Sequence, residues 1–434
     1  MGLLKIVSGE KPREIALTVL DGHNEGEFVE DHLERKLAEA GLSPADRRLC
    51  QELVYGIVRW RATLDWLIAR KTANRTQKPA LQDLLRLGLY QIFWLDRIPN
   101  HAAVHVTVEL AKQRGFGPQS GFVNALLRGY LREFEATKSL LAELKTSQPA
   151  LGFSHPEWLV SRWEQLWGAE KTRQLLEWNN TPPKTFARVN PLKADPAKLI
   201  EQWRDENVEY DFVRKDWFEE NLVFELKSHP SLGTLPSFQQ GQFYIQDPST
   251  LLAVQMLDPQ PGETILDLCA APGGKLTYIA QRIGNQGRIV AHDVRPDRLA
   301  LINANCARLG VTCVQAASPE SLNPQLLFDK ILVDAPCSNT GVMRRRVGLR
   351  WSLGAAEIGR LAASQDQLLR KAATLLNKNG ILLYSTCSID PQENQEVVTN
   401  FLAAHPRFKL SADREVLPFN DEVDGAYVAR IEKD

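Results

Sequence analysis

From residue 264 onward, short apolar runs alternate with longer stretches of helical periodicity, and this alternation confines the second half of the chain to a parallel, doubly wound sheet. The runs fall at 264–268, 288–291, 328–333 and 381–384, with a final candidate at 426–431. In such a sheet, ligands and chemistry collect outside the carboxyl ends of the strands. Three of those ends carry informative residues. The first continues into Cys269-Ala270-Ala271-Pro272-Gly273-Gly274-Lys275, the third into Asp334-Ala335-Pro336-Cys337-Ser338, and the fourth into Ser385-Thr386-Cys387-Ser388.

The rest of the chain has another character. A length of 434 residues exceeds one ordinary core and predicts two or three domains. Residues 1–145 carry helical periodicity almost throughout, with helix starts expected at Ser43-Pro44 and at Asn100, a capping-type residue. A break at Ser147-Gln148-Pro149 and Gly152 opens a segment, 146–238, of linker helices and a small α/β pattern. It holds a strand near 186–190 and a helix near 197–205. The α/β domain then occupies 239–434. With 44% hydrophobic and 24% charged residues, the composition is that of a globular protein. No run of about 18 apolar residues occurs, and the amino end, Met1-Gly2-Leu3-Leu4-Lys5-Ile6, lacks a secretory h-region. The expectation is a cytoplasmic protein with no membrane segment. Six cysteines without a CxxC pair argue for reduced thiols and against a metal. His101 and His105 share a helical face but have no further ligand pattern beside them, so they are expected as ordinary core or surface histidines. A net charge of −1 gives no global nucleic-acid signature, so RNA affinity would have to come from local basic surface.

The turn after the first strand lacks both the GxGxxG spacing of a dinucleotide site and the GxxxxGK[ST] pattern of a phosphate loop. Its two glycines suit close approach to a ligand without phosphates. The next strand ends in Asp293, where an acidic residue accepts both hydroxyls of a ribose. S-adenosyl-L-methionine has that ribose and no pyrophosphate. Cys337 and Cys387, at strand ends facing the same cleft, supply thiols. A thiolate adding to C6 of a cytosine loads electron density onto C5, which then takes the sulfonium methyl; a base removes the C5 proton and the thiol leaves. Free cysteine titrates near about 8.5, so such a nucleophile needs local activation, and no partner base is evident in the sequence. Cys50, Cys306 and Cys313 are expected as buried small hydrophobes and Cys269 as a wall of the cofactor turn.

The run Asp334-Ala335-Pro336-Cys337-Ser338-Asn339-Thr340-Gly341, with Ser385-Thr386-Cys387-Ser388, resembles the paired DAPCSGTG and TCS motifs of RNA 5-methylcytosine methyltransferases. Residues 266–275 resemble their LDxCAAPGGK cofactor motif, and Phe243-Tyr244-Ile245-Gln246-Asp247-Pro248-Ser249 is similar to the segment that precedes it. The helical half resembles the NusB RNA-binding fold through Leu53-Val54-Tyr55-Gly56-Ile57-Val58-Arg59, Leu87-Gly88-Leu89-Tyr90-Gln91, Ile98-Pro99-Asn100-His101-Ala102-Ala103-Val104 and Gly121-Phe122-Val123-Asn124-Ala125-Leu126-Leu127-Arg128. A NusB-like domain on this catalytic module resembles the Sun/Fmu branch, which acts on a cytosine of 16S ribosomal RNA. The resemblance implies an all-α NusB-like domain, a small α/β middle segment and a Rossmann-like methyltransferase domain using S-adenosyl-L-methionine. It also implies ribosomal RNA as the partner, in an assembling small subunit or free.

For single residues, the resemblance makes Cys387 the nucleophile and Cys337 the group that assists release of the product, with Asp334 between cofactor and base. Cys269, Ala270, Ala271, Pro272, Gly273, Gly274 and Lys275 would wrap the cofactor, Asp293 would hold the ribose, and Arg298 would support the loop. The chain departs from the pattern in places. The Asp expected after the third of the sheet's early strands is absent from Gln315-Ala316-Ala317-Ser318-Pro319, which leaves a backbone carbonyl or Ser318 to meet the adenine. Asn339 replaces a Gly, which a left-handed backbone would accommodate. Arg346-Val347-Gly348 replaces His-Pro-Asp, and Asp424-Gly425-Ala426-Tyr427 replaces a more typical Asp-Gly-Phe-Phe.

Arg344, Arg345, Arg346 and Arg350 beside Trp351 form a basic and aromatic cluster close to Cys337, expected to contact RNA phosphates and bases. Arg59, Arg61 and Arg128 offer a second surface on the helical half. Two other readings stay open: a non-catalytic RNA-binding ribosome-assembly factor with a degenerate methyltransferase fold, and a methyltransferase acting on nitrogen or a small molecule. The second has no use for paired thiols.

Overall fold

The structure is a computed structural model that describes residues 11–22, 28–293, 295–317 and 325–434. The chain forms two compact units: Met1–Thr181 together with Met343–Leu353, and Pro182–Val342 together with Gly354–Asp434.

The first unit is helical. Pro44–Arg59 starts where the sequence predicts, with the Ser43 hydroxyl accepting from the Asp46 N–H at 3.2 Å and Pro44 in the first turn. At the second expected start, Pro99 occupies the capping position with extended backbone, and Asn100 is the first helical residue of Asn100–Gln113. Pro79–Trp94 is apolar on most of its circumference because it lies inside the bundle. Its Leu84, Leu85, Leu87 and Leu89 share one core with Leu53, Val54 and Ile57 of Pro44–Arg59. Phe134–Ser147 runs through the domain boundary expected at 145/146, and Glu157–Asn179 extends the unit to Thr181. Among the described residues, no helix is long and apolar enough to cross a membrane.

The second unit holds two sheets. The smaller is antiparallel, in the order β2-β3-β1-β4, and comprises β1 (Thr185–Val189), β2 (Glu209–Phe212), β3 (Val223–Ser228) and β4 (Phe243–Ile245). Since β4 pairs with β1 through Arg188↔Tyr244 and Val189↔Phe243, the sheet crosses the boundary expected at 238/239. Trp203, on the helix Pro196–Asp205, fills the space over this sheet against Phe224 and Phe243.

The larger sheet comprises β5 (Thr264–Asp267), β6 (Arg288–His292), β7 (Val314–Ala317), β8 (Phe328–Asp334), β9 (Leu376–Thr386), β10 (Phe408–Val416) and β11 (Ala426–Lys433). Its order is β10-β11-β9-β8-β5-β6-β7. Strands β5 to β9 pair parallel, while β11 pairs antiparallel with β9 and β10 with β11. Both faces are buried, as a parallel sheet requires. Ile265, Ile289, Leu332 and Leu383 enter one core; Leu266, Val290, Ile331, Val333, Leu382 and Tyr384 enter the other. This register brings the carboxyl ends of β5, β8 and β9 side by side.

Candidate active site

The turn after β5 is held open by its own glycine and by one carboxylate. Gly273 has φ +100°, a conformation L side chains rarely adopt, and it caps the helix Gly274–Arg282. Asp293, at the end of β6 and 3% exposed, accepts from the main-chain N–H of Ala271 at 3.3 Å and of Arg295 at 3.1 Å. Arg298 ties the two segments, donating to the Ala271 carbonyl at 2.8 Å and lying 3.4 Å from Asp293. Cys269 and Asp267 complete the wall. The Asp267 carboxyl is pushed up to about 8, first by burial and then by the charges of Asp334 and Asp293, and its Oδ1 is buried with no partner. Burial and the same carboxylates hold the Cys269 thiol well above the ordinary range.

Lys275 donates to Asp334 Oδ2 at 2.7 Å. Burial alone would lower the lysine, but the charge and hydrogen bond of Asp334, then the charges of Cys387 and Asp267, outweigh it and raise it. A permanent ammonium therefore stands among groups that become negative.

The thiols of Cys337 and Cys387 meet with their sulfurs 3.3 Å apart. Cys387 also donates to Asn339 Oδ1 at 3.1 Å, while Asn339 Nδ2 donates to the Cys337 carbonyl at 2.8 Å. Asn339 has φ +57°, the left-handed conformation its place in the motif demands. Cys337 is held well above the ordinary thiol range by its hydrogen bond to Cys387, by burial, and by the charges of Cys387 and Glu393. The loops cross at Gly341, whose N–H donates to the Cys387 carbonyl at 2.9 Å.

The cluster expected to contact RNA is divided. Arg344 and Arg350 are almost wholly buried, a correction to their reading as phosphate contacts. Arg344 stacks 3.9 Å from the centre of the Trp178 ring. Arg350 donates to the carbonyls of Arg59, Ser154 and Asn179 and to Asn180 Oδ1, which satisfies helix-end acceptors of the helical unit. Trp351 donates to the Val58 carbonyl at 2.7 Å, and Arg346 lies 3.5 Å from Asp31. Arg345, Arg346 and Trp351 keep part of their surface exposed. Arg59 is buried, which removes it from the second surface, whereas Arg61 and Arg128 are exposed. His101 and His105 are exposed, and the described residues contain no group of three or more metal-ligating side chains. Ser318, considered for the adenine, lies outside the described residues.

Two residues of the site have no counterpart in the expectations. Glu393, wholly buried, joins the two cysteine loops. Arg188, from β1, reaches the start of the helix Gly274–Arg282, donating to the Gly274 carbonyl at 2.9 Å and to Thr277 Oγ1 at 3.2 Å. The only trace of either in the sequence is a charged residue inside an otherwise apolar or turn-forming segment.

A mostly parallel sheet of seven strands with an acidic, glycine-opened turn and paired thiols at neighbouring strand ends defines an α/β methyltransferase. Comparison with known proteins agrees along the chain. Residues 254–432 match the model of the 16S rRNA methyltransferase RsmB/F family, residues 10–132 that of the NusB family, and residues 155–225 that of an RsmF/B-like ferredoxin-like domain. A probable ribosomal RNA small subunit methyltransferase B of Bacillus subtilis is 36% identical, covering 97% of this chain and 98% of that protein. The protein of the same description from Synechocystis sp. is 35% identical over 97% and 99%. A solved methyltransferase homologue from Pyrococcus horikoshii is 31% identical, covers 66% of this chain and 97% of its own, and superposes with a TM-score of 0.58. The chain belongs to the RsmB/F family of 16S ribosomal RNA methyltransferases.

Proposed function

We propose that this methyltransferase modifies C5 of a cytosine in 16S ribosomal RNA, with S-adenosyl-L-methionine as methyl donor and Cys387 as covalent nucleophile. The observation that carries the reading is the thiol pair at the ends of β8 and β9, 3.3 Å apart beside the Lys275 ammonium.

The residues of the turn fit this cofactor. The charges of Asp334 and Asp293, which push Asp267 up, repel phosphates and favour a cation, whose arrival would draw the proton off Asp267. The unpartnered Asp267 Oδ1 offers an acceptor for an ammonium, and the lone pairs that Asp293 keeps beyond its two main-chain bonds would serve ribose hydroxyls. When bound, S-adenosyl-L-methionine supplies an electrophilic methyl on sulfur, which C5 of the ring takes.

The chain's own residues do the rest. Cys387 gives up its proton to solvent and adds as the thiolate to C6 of the cytosine, forming the sulfur–carbon bond that makes C5 nucleophilic. Lys275 stabilises the thiolate by charge and Cys337 by its S–H. Asp334, held by Lys275, is placed to hydrogen-bond the ring. After methyl transfer a base takes the C5 proton, the C6–S bond breaks, and the electron pair returns to Cys387. The Cys337 S–H, hydrogen-bonded to that sulfur, stabilises the departing thiolate, which is how it assists release. Ribosomal RNA is the substrate named for the relatives, and the exposed parts of Arg345, Arg346 and Trp351 are the proposed contacts.

The test uses small-subunit RNA, free and in assembling subunits, with radiolabelled cofactor. The wild type should label C5 of a cytosine, Cys387→Ala should transfer no label, and Cys337→Ala should accumulate a protein–RNA adduct on denaturing gels. Label transfer without Cys387 would remove it as nucleophile. RNA binding with no transfer by wild type to either substrate would favour an assembly factor.

A further inference from the structure

We propose that Glu393 is a positioning residue for the two-thiol reaction: one buried carboxylate grips the residue after each cysteine and so fixes the gap between the sulfurs. This rests on the two-thiol reading above.

Glu393 lies just past β9 and is 0% exposed. Its Oε1 accepts from the Ser338 N–H at 2.8 Å and from Gln365 Nε2 at 2.9 Å. Its Oε2 accepts from the Ser388 hydroxyl at 2.6 Å and from the Ser338 hydroxyl. Ser338 follows Cys337 and Ser388 follows Cys387, so the carboxylate is the node through which the β8 and β9 loops are joined. Further bonds stiffen the node. Gln365 also donates to the Pro336 carbonyl at 2.9 Å, the Tyr384 hydroxyl donates to the Glu393 carbonyl at 2.5 Å, and the Ile389 N–H donates to Thr340 Oγ1 at 3.1 Å.

A buried carboxylate is costly unless its lone pairs are met, and here Oε1 is met by one loop and a neighbouring helix and Oε2 by both loops. Such a node has one geometry, and it transmits that geometry to the two sulfurs, whose separation decides whether the Cys337 S–H reaches the departing Cys387 thiolate. Its negative charge is also among the causes that keep the proton on Cys337. Glu393 touches neither sulfur, so it acts through Ser338 and Ser388.

Glu393→Gln keeps the volume but removes the charge, and its amide forces the Ser338 and Ser388 hydroxyls to turn round and accept where they now donate, which disturbs both arms. The expected result is a fall in kcat of about 100-fold with KM for RNA and cofactor changed less than about threefold. Adduct should accumulate, as is expected for Cys337→Ala, and the pH profile of adduct release should move toward acid as Cys337 loses the negative charge behind it. Turnover within about threefold of wild type, with an unchanged pH profile, would overturn the proposal. If Glu393→Gln does not fold, Ser388→Ala and Ser338→Ala decide, since each removes one arm. Both should lower kcat with KM held, and wild-type kcat in both would overturn it. Cys387→Ala run in parallel separates the failures: label transfer by that variant sinks the two-thiol reading itself, whatever Glu393 does.

Discussion

At Lys275, a residue read from the sequence only as the end of a cofactor turn acts on the nucleophile's surroundings. Its ion pair with Asp334 keeps it charged across the neutral range, because its raised folded pKa means the proton is lost only above the ordinary lysine range. The stability contributed by the pair is accordingly whole at neutral pH and lost as pH rises through the raised value. Lys275→Met should lower kcat by about 10- to 100-fold and shift the acid limb of the pH–rate profile upward, since the thiolate then forms without a neighbouring cation. An unchanged acid limb would show that the ammonium does not bear on Cys387. Asp267 gives a prediction of opposite kind. Its carboxyl, pushed up to about 8, holds in the folded state a proton that the unfolded chain has released. Stability should therefore fall as pH rises from about 4 to about 8, and Asp267→Asn should flatten Tm against pH over that window. The types of the site residues were legible, because Cys, Asp and Lys at strand ends point to chemistry. Their pairing was not. Lys275 meets Asp334 from 59 residues away in sequence, and Glu393 meets Ser338 from 55.

The strands that carry the site were legible as elements, as were β6 and β11 beside them, whereas the edge strands β7 and β10 were not. Apolar runs at 264–268, 328–333 and 381–384 predict β5, β8 and β9 because strands buried on both faces have little choice of residue. β10 escaped the same reading because it is a largely exposed edge strand, Phe-Lys-Leu-Ser-Ala-Asp-Arg-Glu-Val, with no apolar face to betray it. The crossing of the two cysteine loops is a property of paired elements and depends on Gly341. A Cβ there would come within 2.6 Å of the Cys387 carbonyl oxygen and 2.7 Å of Gly425 Cα, both backbone atoms that cannot step aside. Gly341→Ala should push the loops apart and lower kcat by about 100-fold, while cofactor binding at the β5 turn, measured by titration calorimetry, stays within a few-fold of wild type. Equal loss of cofactor affinity would mean that the turn and the cysteine loops move as one element.

On the scale of the whole molecule, the segment Met343–Leu353 belongs by packing to the helical unit, although its neighbours in sequence on both sides belong to the other. Its cluster of arginines looked like an RNA surface because charge beside a catalytic strand end is normally solvated. Here Arg350 is desolvated instead, and its guanidinium is held by main-chain carbonyls from three different places in the helical unit. Met343, Val347, Leu349 and Leu353 are buried with it, and the Val347 N–H donates to Glu30 Oε1 at 2.7 Å. A fragment of residues 1–181 thus lacks a piece of its own core. It should melt below the intact chain, and a synthetic peptide of residues 343–353 added in trans should raise its Tm by mass action, by an amount that grows with peptide concentration. The same peptide carrying Arg350→Met should bind about 10- to 100-fold more weakly, since it buries the acceptors of the helical unit without a donor. No rise in Tm with the native peptide would show that the segment merely rests on the bundle, whereas equal binding by both peptides would assign its hold to the apolar side chains alone.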